Sequence, residues 1–390
     1  MMAFNSSRVD EVETLSNIAA HLLYQENWEY AIKVAKQAFA IDAFHINTLD
    51  TLSHCYGALR NWEMCGIFGA MALQLRDQNV SSLAPEDPIL PAVKPHSEKN
   101  IIAFSLYGDK SSYIEPAVIN AQIVKVIYPN WVCRFYVDDS VPEQAIQRLN
   151  NEQTEVIRMT GEQAALPGTM WRFLAMDDPT VNYILFRDVD SVISQREAKA
   201  VKEWIASGQR FHTIRDSGSH TELILAGLWG AKSGSVPNMF EKMKVYMEQN
   251  PKRHRFNDQF FLRDCVWPYV RQDVYASDRL FGFMNAHPIP DEEFFNFDIT
   301  HIGCDEGCSQ FTIKTTKPDE LKVGMQVMWR LYSQIAPLLN EDLSHNLVEE
   351  RVICEYPVTI TEQGQFSGHI PRRYARGFSN GESRITFSAL

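Results

Sequence analysis

Short apolar runs and longer, half-apolar stretches take turns along the middle of this chain. Asn100–Leu106, Trp131–Val137, Val156–Met159, Asn182–Phe186 and Phe211–Arg215 read as strands. Ile114–Ile127, Glu143–Asn150, Met170–Met176, Glu197–Ser207, Val236–Gln249 and Phe256–Val270 read as helices, with Gly208 and Pro251 as stop signals. This alternation predicts an α/β fold, a largely parallel sheet flanked by helices. Ahead of it, residues 80–99 carry Pro85, Pro88, Pro91 and Pro95 among serines and charges. Prolines remove backbone donors and favour extended chain, so a linker is expected there. Beyond residue 303 the pattern is harder to read. Pro318–Leu339 has helical character through Met325, Val327, Met328, Leu331 and Ile335, whereas Val352–Cys354 and Val358–Ile360 look strand-like. Gly364–Gly381, rich in Gly and Ser with Arg372, Arg373 and Arg376, is expected to form a tail, a lid or an anion-binding surface.

The first eighty residues repeat. Asn27-Trp28-Glu29 returns as Asn61-Trp62-Glu63, and at the same offset Leu15 maps onto Leu49 and Ala38 onto Ala72. Ala19 and Ser53, then Ala31 and Cys65, supply small residues at matching places. The period and the small positions resemble tetratricopeptide repeats over residues 11–79, although Ala43 and Asp77 stand where that family often has proline. Two repeats are fewer than an independent solenoid needs, so the module is expected to lean on the domain that follows. It acts there either as a cap or as a surface for a protein partner.

The chemistry concentrates after one strand. Tyr183-Ile184-Leu185-Phe186 runs into Arg187-Asp188-Val189-Asp190-Ser191, so two carboxylates arrive where a buried strand ends. Mg2+ and Mn2+ prefer oxygen ligands, keep some waters, and use one or two carboxylates together with substrate phosphates. Open α/β sheets bind ligands at the carboxyl ends of their strands, which suits Asp188 and Asp190. An Asp-x-Asp also arises by chance in solvated turns. Other candidates each have a structural rival. Tyr107 and Gly108 offer a stacking face and a close backbone approach to a nucleotide, or a buried strand end. Asp138 and Asp139 offer a ribose or base contact, or a solvated turn. Arg172 and Arg187 suit a diphosphate, for which the forked guanidinium is fitted, or ion pairs. Trp229 suits a sugar ring, or the core.

Five ordered stretches resemble the GT-A fold of nucleotide-sugar-dependent glycosyltransferases, covering roughly Asn100 to Ile302. They are Asn100–Gly108, Trp131–Asp139, Phe186–Ser191 with the Asp-x-Asp motif, Ile224–Gly230, and Asn257–Leu262 with Asp258-Gln259. The resemblance implies a Rossmann-like mixed sheet and a Mn2+ or Mg2+ cofactor held by Asp188 and Asp190. It implies a nucleoside-diphosphate sugar as donor, a UDP-sugar foremost, and a glycan, lipid-linked or protein hydroxyl as acceptor. A late histidine is an implied third metal ligand; His287 and His301 both qualify. His301 is preferred because Thr300 precedes it and Gly303 follows. Asp258 is the implied acceptor-side carboxylate, a general base in an inverting enzyme or an orienting group in a retaining one. Its rival is an acid placed at a helix N-terminus for the dipole. The expected organisation is helical repeats over 1–80, linker over 81–99, catalytic domain over 100–302 and a helical extension over 303–390.

Composition narrows the partners. The net charge of −12 argues against nucleic acid and against adhesion to anionic lipid. No apolar run reaches the ~18 residues that a transmembrane span requires. Met1–Glu13 has acids and hydroxyls where a signal peptide would be basic and then apolar. Seven scattered cysteines suit a reducing, cytoplasmic compartment. His301, Cys304 and Cys308 lack a fourth ligand at zinc spacing. The expectation is a metal-dependent, hexosyltransferase-like enzyme of glycan or polysaccharide synthesis. The alternatives are a nucleotidyltransferase, for which Tyr107-Gly108-Asp109-Lys110 makes a poor phosphate loop, and a non-catalytic tetratricopeptide adaptor.

Overall fold

The structure, a computed structural model, describes residues 2–83, 86–92, 99–151, 153–252, 255–290, 301–339 and 344–390. Four helices come first: α1 (Met2–Tyr24), α2 (Trp28–Ile41), α3 (Ile46–Ala58) and α4 (Trp62–Leu83). Their boundaries keep the offset read in the sequence. Tyr24 and Ala58 end the first helix of each pair, Trp28 and Trp62 open the second, and Glu26 and Arg60 take left-handed backbone in the turns (φ 57° and 59°). Ala19, Ala31, Ala35, Ala38, Cys65 and Ala72 are fully buried, so small side chains stand where helices meet.

Seven strands follow: β1 (Asn100–Leu106), β2 (Trp131–Val137), β3 (Thr154–Arg158), β4 (Tyr183–Arg187), β5 (Phe211–Arg215), β6 (Leu228–Lys232) and β7 (Val274–Asp278). They form one sheet in the order β3-β2-β1-β4-β6-β5-β7. The pairs β2/β3, β1/β4 and β5/β7 are parallel, and β6 runs antiparallel to both β4 and β5, so the sheet is mixed. Its helices are α5 (Ser111–Ile127), α6 (Glu143–Leu149), α7 (Gly161–Ala164), α8 (Gln195–Ser207), α9 (Met239–Gln249), α10 (Asn257–Phe261) and α11 (Trp267–Val270). A π-turn over Leu262–Val266 joins the last two, filling out the single helix expected there.

The chain divides into two compact units. The first holds residues 1–103, 161–187 and 196–303, and the second 104–160, 188–195 and 304–390.

Within the first unit the helical repeats are docked. Gly66 and Gly69 lie on α4, where glycine costs about 1 kcal/mol against alanine. A Cβ on Gly66 would come 2.6 Å from the Leu280 carbonyl oxygen, and one on Gly69 would strike the Phe281 ring. Close approach explains both glycines. Ser53 Oγ donates to Gly218 O at 2.8 Å, and the Arg76 fork holds Asp50 (2.9 and 2.6 Å) while its Nε reaches Glu222 at 3.1 Å. Trp267 Nε1 donates to Asp77 Oδ1 at 2.6 Å. These contacts close faces of α3 and α4 against residues 218–281.

The second unit corrects the reading of the C-terminal region. Where residues 318–339 were expected to be helical, a short 3-10 turn at Pro318–Glu320 precedes a long strand, β9 (Gln326–Leu339). Along it Val327, Trp329, Leu331, Ser333 and Ile335 are buried in strict alternation. That is the period of a strand, and the helix-favouring Met and Leu residues concealed it. β8 (Cys308–Lys314) pairs antiparallel with β11 (Gln365–Pro371), and β9 lies between β10 (His345–Thr359) and β12 (Ser383–Ala389). The Gly-rich stretch is thus neither tail nor loose lid, because it supplies β11 and a turn of helix, Arg372–Ala375. Buried Glu115 on α5 accepts both arms of Arg148 from α6 (2.7 Å each) and the Tyr356 hydroxyl from β10 (2.5 Å).

Candidate functional site

In the second unit, several candidate residues follow directly on strand ends. Tyr107 succeeds β1, is 45% exposed, and precedes Gly108 in left-handed backbone (φ 79°). The Gly108 N–H donates to Ser140 Oγ at 2.6 Å, which joins the end of β1 to the end of β2. Asp138, the residue after β2, is half-buried and receives the Ser140 N–H (3.1 Å) and hydroxyl on Oδ1. This is an Asx turn, and Asp138 Oδ2 has no hydrogen bond among the described residues. Asp139 is exposed.

Asp188, Val189 and Asp190 leave β4 as a turn. Asp188 is exposed, Val189 is buried and Asp190 is half-buried. Main-chain bonds hold the segment. Ser191 N–H reaches Asp188 O at 3.2 Å, and Glu306 N–H donates to Asp190 O at 2.8 Å. Ser191 pairs with Asp305 in an isolated antiparallel bridge. The wholly buried Asn120 of α5 donates to Ser191 O and accepts from Ile193 N–H, both at 2.9 Å. An asparagine amide has a donor and an acceptor of its own, so one side chain clamps two points of the loop.

In the first unit, side chains do the holding. Arg187 is 1% exposed; its Nε donates to Glu197 at 2.8 Å, and Nη1 to the carbonyls of Phe186 (2.8 Å) and Trp229 (2.9 Å). The guanidinium that was a candidate for the diphosphate is thus sealed into an ion pair. Trp229 is a second correction. It is fully buried, stacked 4.1 Å from Phe186 and edge-on to Phe173, so its ring is core and meets no sugar. Arg172, also buried, donates to Arg187 O (2.9 Å) and to Asp258 Oδ2 (3.2 Å). Asp258 Oδ1 accepts the Gln259 N–H at 2.9 Å. Gln259 in turn accepts from Ala226 N–H at 3.0 Å and donates to Ile224 O, fixing α10 against the segment that enters β6. His301 has its ring 5.3 Å from that of His220, and the next residue, Ile302, donates its N–H to buried Asp216 at 2.7 Å. Burial, then the nearby His301, pushes the His220 imidazole well below its ordinary range. His287 is exposed and stacks on Tyr275 at 4.4 Å.

No protein family and no curated protein matches the sequence. Solved structures do. An active-site mutant of LgtC is 14% identical, over 46% of this chain and 72% of that one, with a TM-score of 0.33. The apo form of the glycosyltransferase GlyE from Streptococcus pneumoniae TIGR4 is 14% identical, over 43% of this chain and 42% of that one, with a TM-score of 0.32. The mannosyltransferase PcManGT from Pyrobaculum calidifontis, solved with GDP-Man and Mn2+, is 13% identical, over 51% of this chain and 64% of that one, with a TM-score of 0.29. The chain spans less than two thirds of the length of the latter two.

The donor set of the Asp188–Asp190 turn suits a hard cation. Both groups are carboxylates, neither is wholly buried, and the main chain fixes their spacing. Among the described residues, no three His, Cys, Asp or Glu side chains converge as a cage for a metal ion. One or two carboxylates completed by water and other oxygen ligands are a usual means of holding Mg2+ or Mn2+, so the residues fit such an ion. All seven cysteines are free thiols, and no described helix is long and apolar enough to cross a membrane. The sequence reading missed Asn120, Glu197 and Glu306, and it put Arg373, here buried against Glu306, in a tail, lid or anion-binding surface. Each acts on a residue far along the chain or across a turn, and none carries a local motif.

Proposed function

We propose that the chain transfers a glycosyl group from a nucleoside-diphosphate sugar to a hydroxyl acceptor. The observation that carries this reading is the Asp188–Asp190 turn at the end of β4, clamped through its main chain with Asp188 turned to solvent. Tyr107 and Asp138, succeeding β1 and β2, support it. On this reading Asp190 and Asp188 hold Mn2+ or Mg2+, which supplies Lewis-acid stabilisation of the departing diphosphate. Tyr107 stacks on the base, and Asp138 Oδ2 accepts a ribose hydroxyl.

Asp258 is the proposed acceptor-side carboxylate. Its pairing with Arg172 and the Gln259 amide fixes both oxygens in direction. A carboxylate so fixed is suited to orienting a hydroxyl, and to taking its proton where the geometry of attack requires a base.

Incubation of the purified protein with a panel of nucleotide sugars, Mn2+ and candidate acceptors tests the proposal. Release of nucleoside diphosphate that depends on Mn2+ and is lost in Asp190→Ala supports it. Release of pyrophosphate from a nucleoside triphosphate, with nucleotide sugars inert, would replace it with nucleotidyl transfer.

A further inference from the structure

The second unit contains two ion pairs on buried carboxylates that engage its C-terminal strands, and they differ in burial and in what they hold. Arg148 and Glu115 join α5, α6 and, through Tyr356, β10. Arg373 and Glu306 form the other pair, with side chains only 4% and 7% exposed. Arg373 Nε donates to Glu306 Oε1 at 2.8 Å, its Nη2 to Oε2 at 2.5 Å, and its own N–H to Oε1 at 3.2 Å. A further arm of the guanidinium reaches Pro337 O on β9.

Burying two charges is weak support for stability in itself, because desolvation offsets most of the attraction. The consequence lies in the main chain of Glu306, whose N–H is the donor to Asp190 O. Its neighbour Asp305 bridges Ser191, and Gly307 O accepts the Arg372 N–H at 3.1 Å. Gly307 has φ 69°, and a Cβ there would strike the Arg372 guanidinium. Residues 305–307 therefore have Arg372 and Arg373 on one side and Asp190 and Ser191 on the other.

We propose that Glu306 and Arg373 are positioning residues for Asp190, so that the C-terminal strands set the geometry of the proposed cation site. The inference rests on the metal reading of Asp188 and Asp190. Removing the groups that orient a metal ligand commonly weakens metal affinity by about 10- to 100-fold. Glu306 acts on the Asp190 backbone and not on its carboxylate, which places the expected loss near the lower end.

Mn2+ alone is the probe, with free ion counted by electron paramagnetic resonance over a titration of the full chain. Glu306→Gln and Arg373→Lys are mild changes, chosen so that the fold survives; thermal unfolding is followed beside each titration. Both should weaken Mn2+ binding roughly tenfold. Arg148→Lys, which loosens the half-buried pair with Glu115, should lower the unfolding midpoint and leave Mn2+ affinity at the wild-type value. Wild-type affinity in both Glu306→Gln and Arg373→Lys, or an equal loss in Arg148→Lys, overturns the inference. Asp190→Ala separates the two levels. If it binds Mn2+ as the wild type does, or if the wild type binds none, the metal reading itself is wrong. If Asp190→Ala abolishes binding while the Glu306 and Arg373 variants keep it, only the positioning role falls.

Discussion

Arg187 and Asp188 are consecutive residues, and they are held in opposite ways. Arg187 is sealed from solvent, with its guanidinium joined to Glu197 and to two carbonyl oxygens. Asp188 is exposed, and the turn it opens is fixed by bonds between main-chain atoms and by Asn120. The first arrangement uses a charged side chain to build structure. The second uses structure to present charged side chains. A residue type alone does not tell these apart: in the sequence Arg187 suited a diphosphate or an ion pair, Trp229 a sugar ring or the core, and Asp188 and Asp190 a cation or a solvated turn. Burial and the identity of the bonding atoms separate them.

The contrast is broken most forcefully on the buried side. Glu197→Ala leaves the Arg187 guanidinium without its carboxylate inside the sheet, and removal of one partner of a buried pair costs about 3–5 kcal/mol. Urea denaturation should show a loss of that size. A loss below about 1 kcal/mol would mean that Arg187 finds water or another acceptor, and that its burial is not what holds it.

The docked repeats give the next largest effect. A methyl on Gly69 meets the Phe281 ring, and forcing extra volume into a packed contact costs about 1–3 kcal/mol. Gly69→Ala should lower stability by this amount despite alanine's better helix propensity. A more stable variant would show that α4 moves freely away from that ring.

A pH effect of similar scale belongs to His212. It is fully buried, with Nε2 2.8 Å from Ser277 Oγ and its ring stacked on Trp204. Burial, then the charge of Arg187, pushes its pKa well below the ordinary value. The folded protein therefore keeps this histidine neutral, while the unfolded chain protonates it near pH 6.5. Stability from this group is complete above that pH and falls below it, by about 1.4 kcal/mol per pH unit. Denaturation at pH 7 and pH 5 should show the decline, and His212→Phe should reduce its slope, with buried His220 supplying a further part, even as the lost bond to Ser277 lowers stability at both. An unchanged slope in that variant would assign the decline to other groups.

These comparisons also explain what the sequence disclosed. Strands such as Phe211–Arg215 and Tyr183–Arg187 were legible because their apolar runs end at glycine or charge within a few residues. β7 was not read, since no glycine or proline marks its start after the helix expected over Phe256–Val270, although Val274–Asp278 is no less apolar than Phe211–Arg215. β9 was misread because Met and Leu suggested a helix, although every second residue is buried. At the candidate site, Asp188 and Asp190 were visible as a motif because their relation is local. Their supports were invisible. Asn120 lies 71 residues from Ser191 in the chain, Arg373 lies 67 from Glu306, and bonds over such separations leave no periodic trace. Arg187 and Trp229 show the converse, chemistry-bearing types whose neighbours in space turn them into core.

The smallest expected change in stability accompanies the largest expected change in binding, and both are read on one variant. Asp190→Ala should leave the protein folded, because main-chain bonds and Asn120 hold the turn. The same protein, titrated with Mn2+ beside the wild type, should bind no measurable ion. Retention of wild-type Mn2+ affinity by Asp190→Ala would contradict the account at its centre.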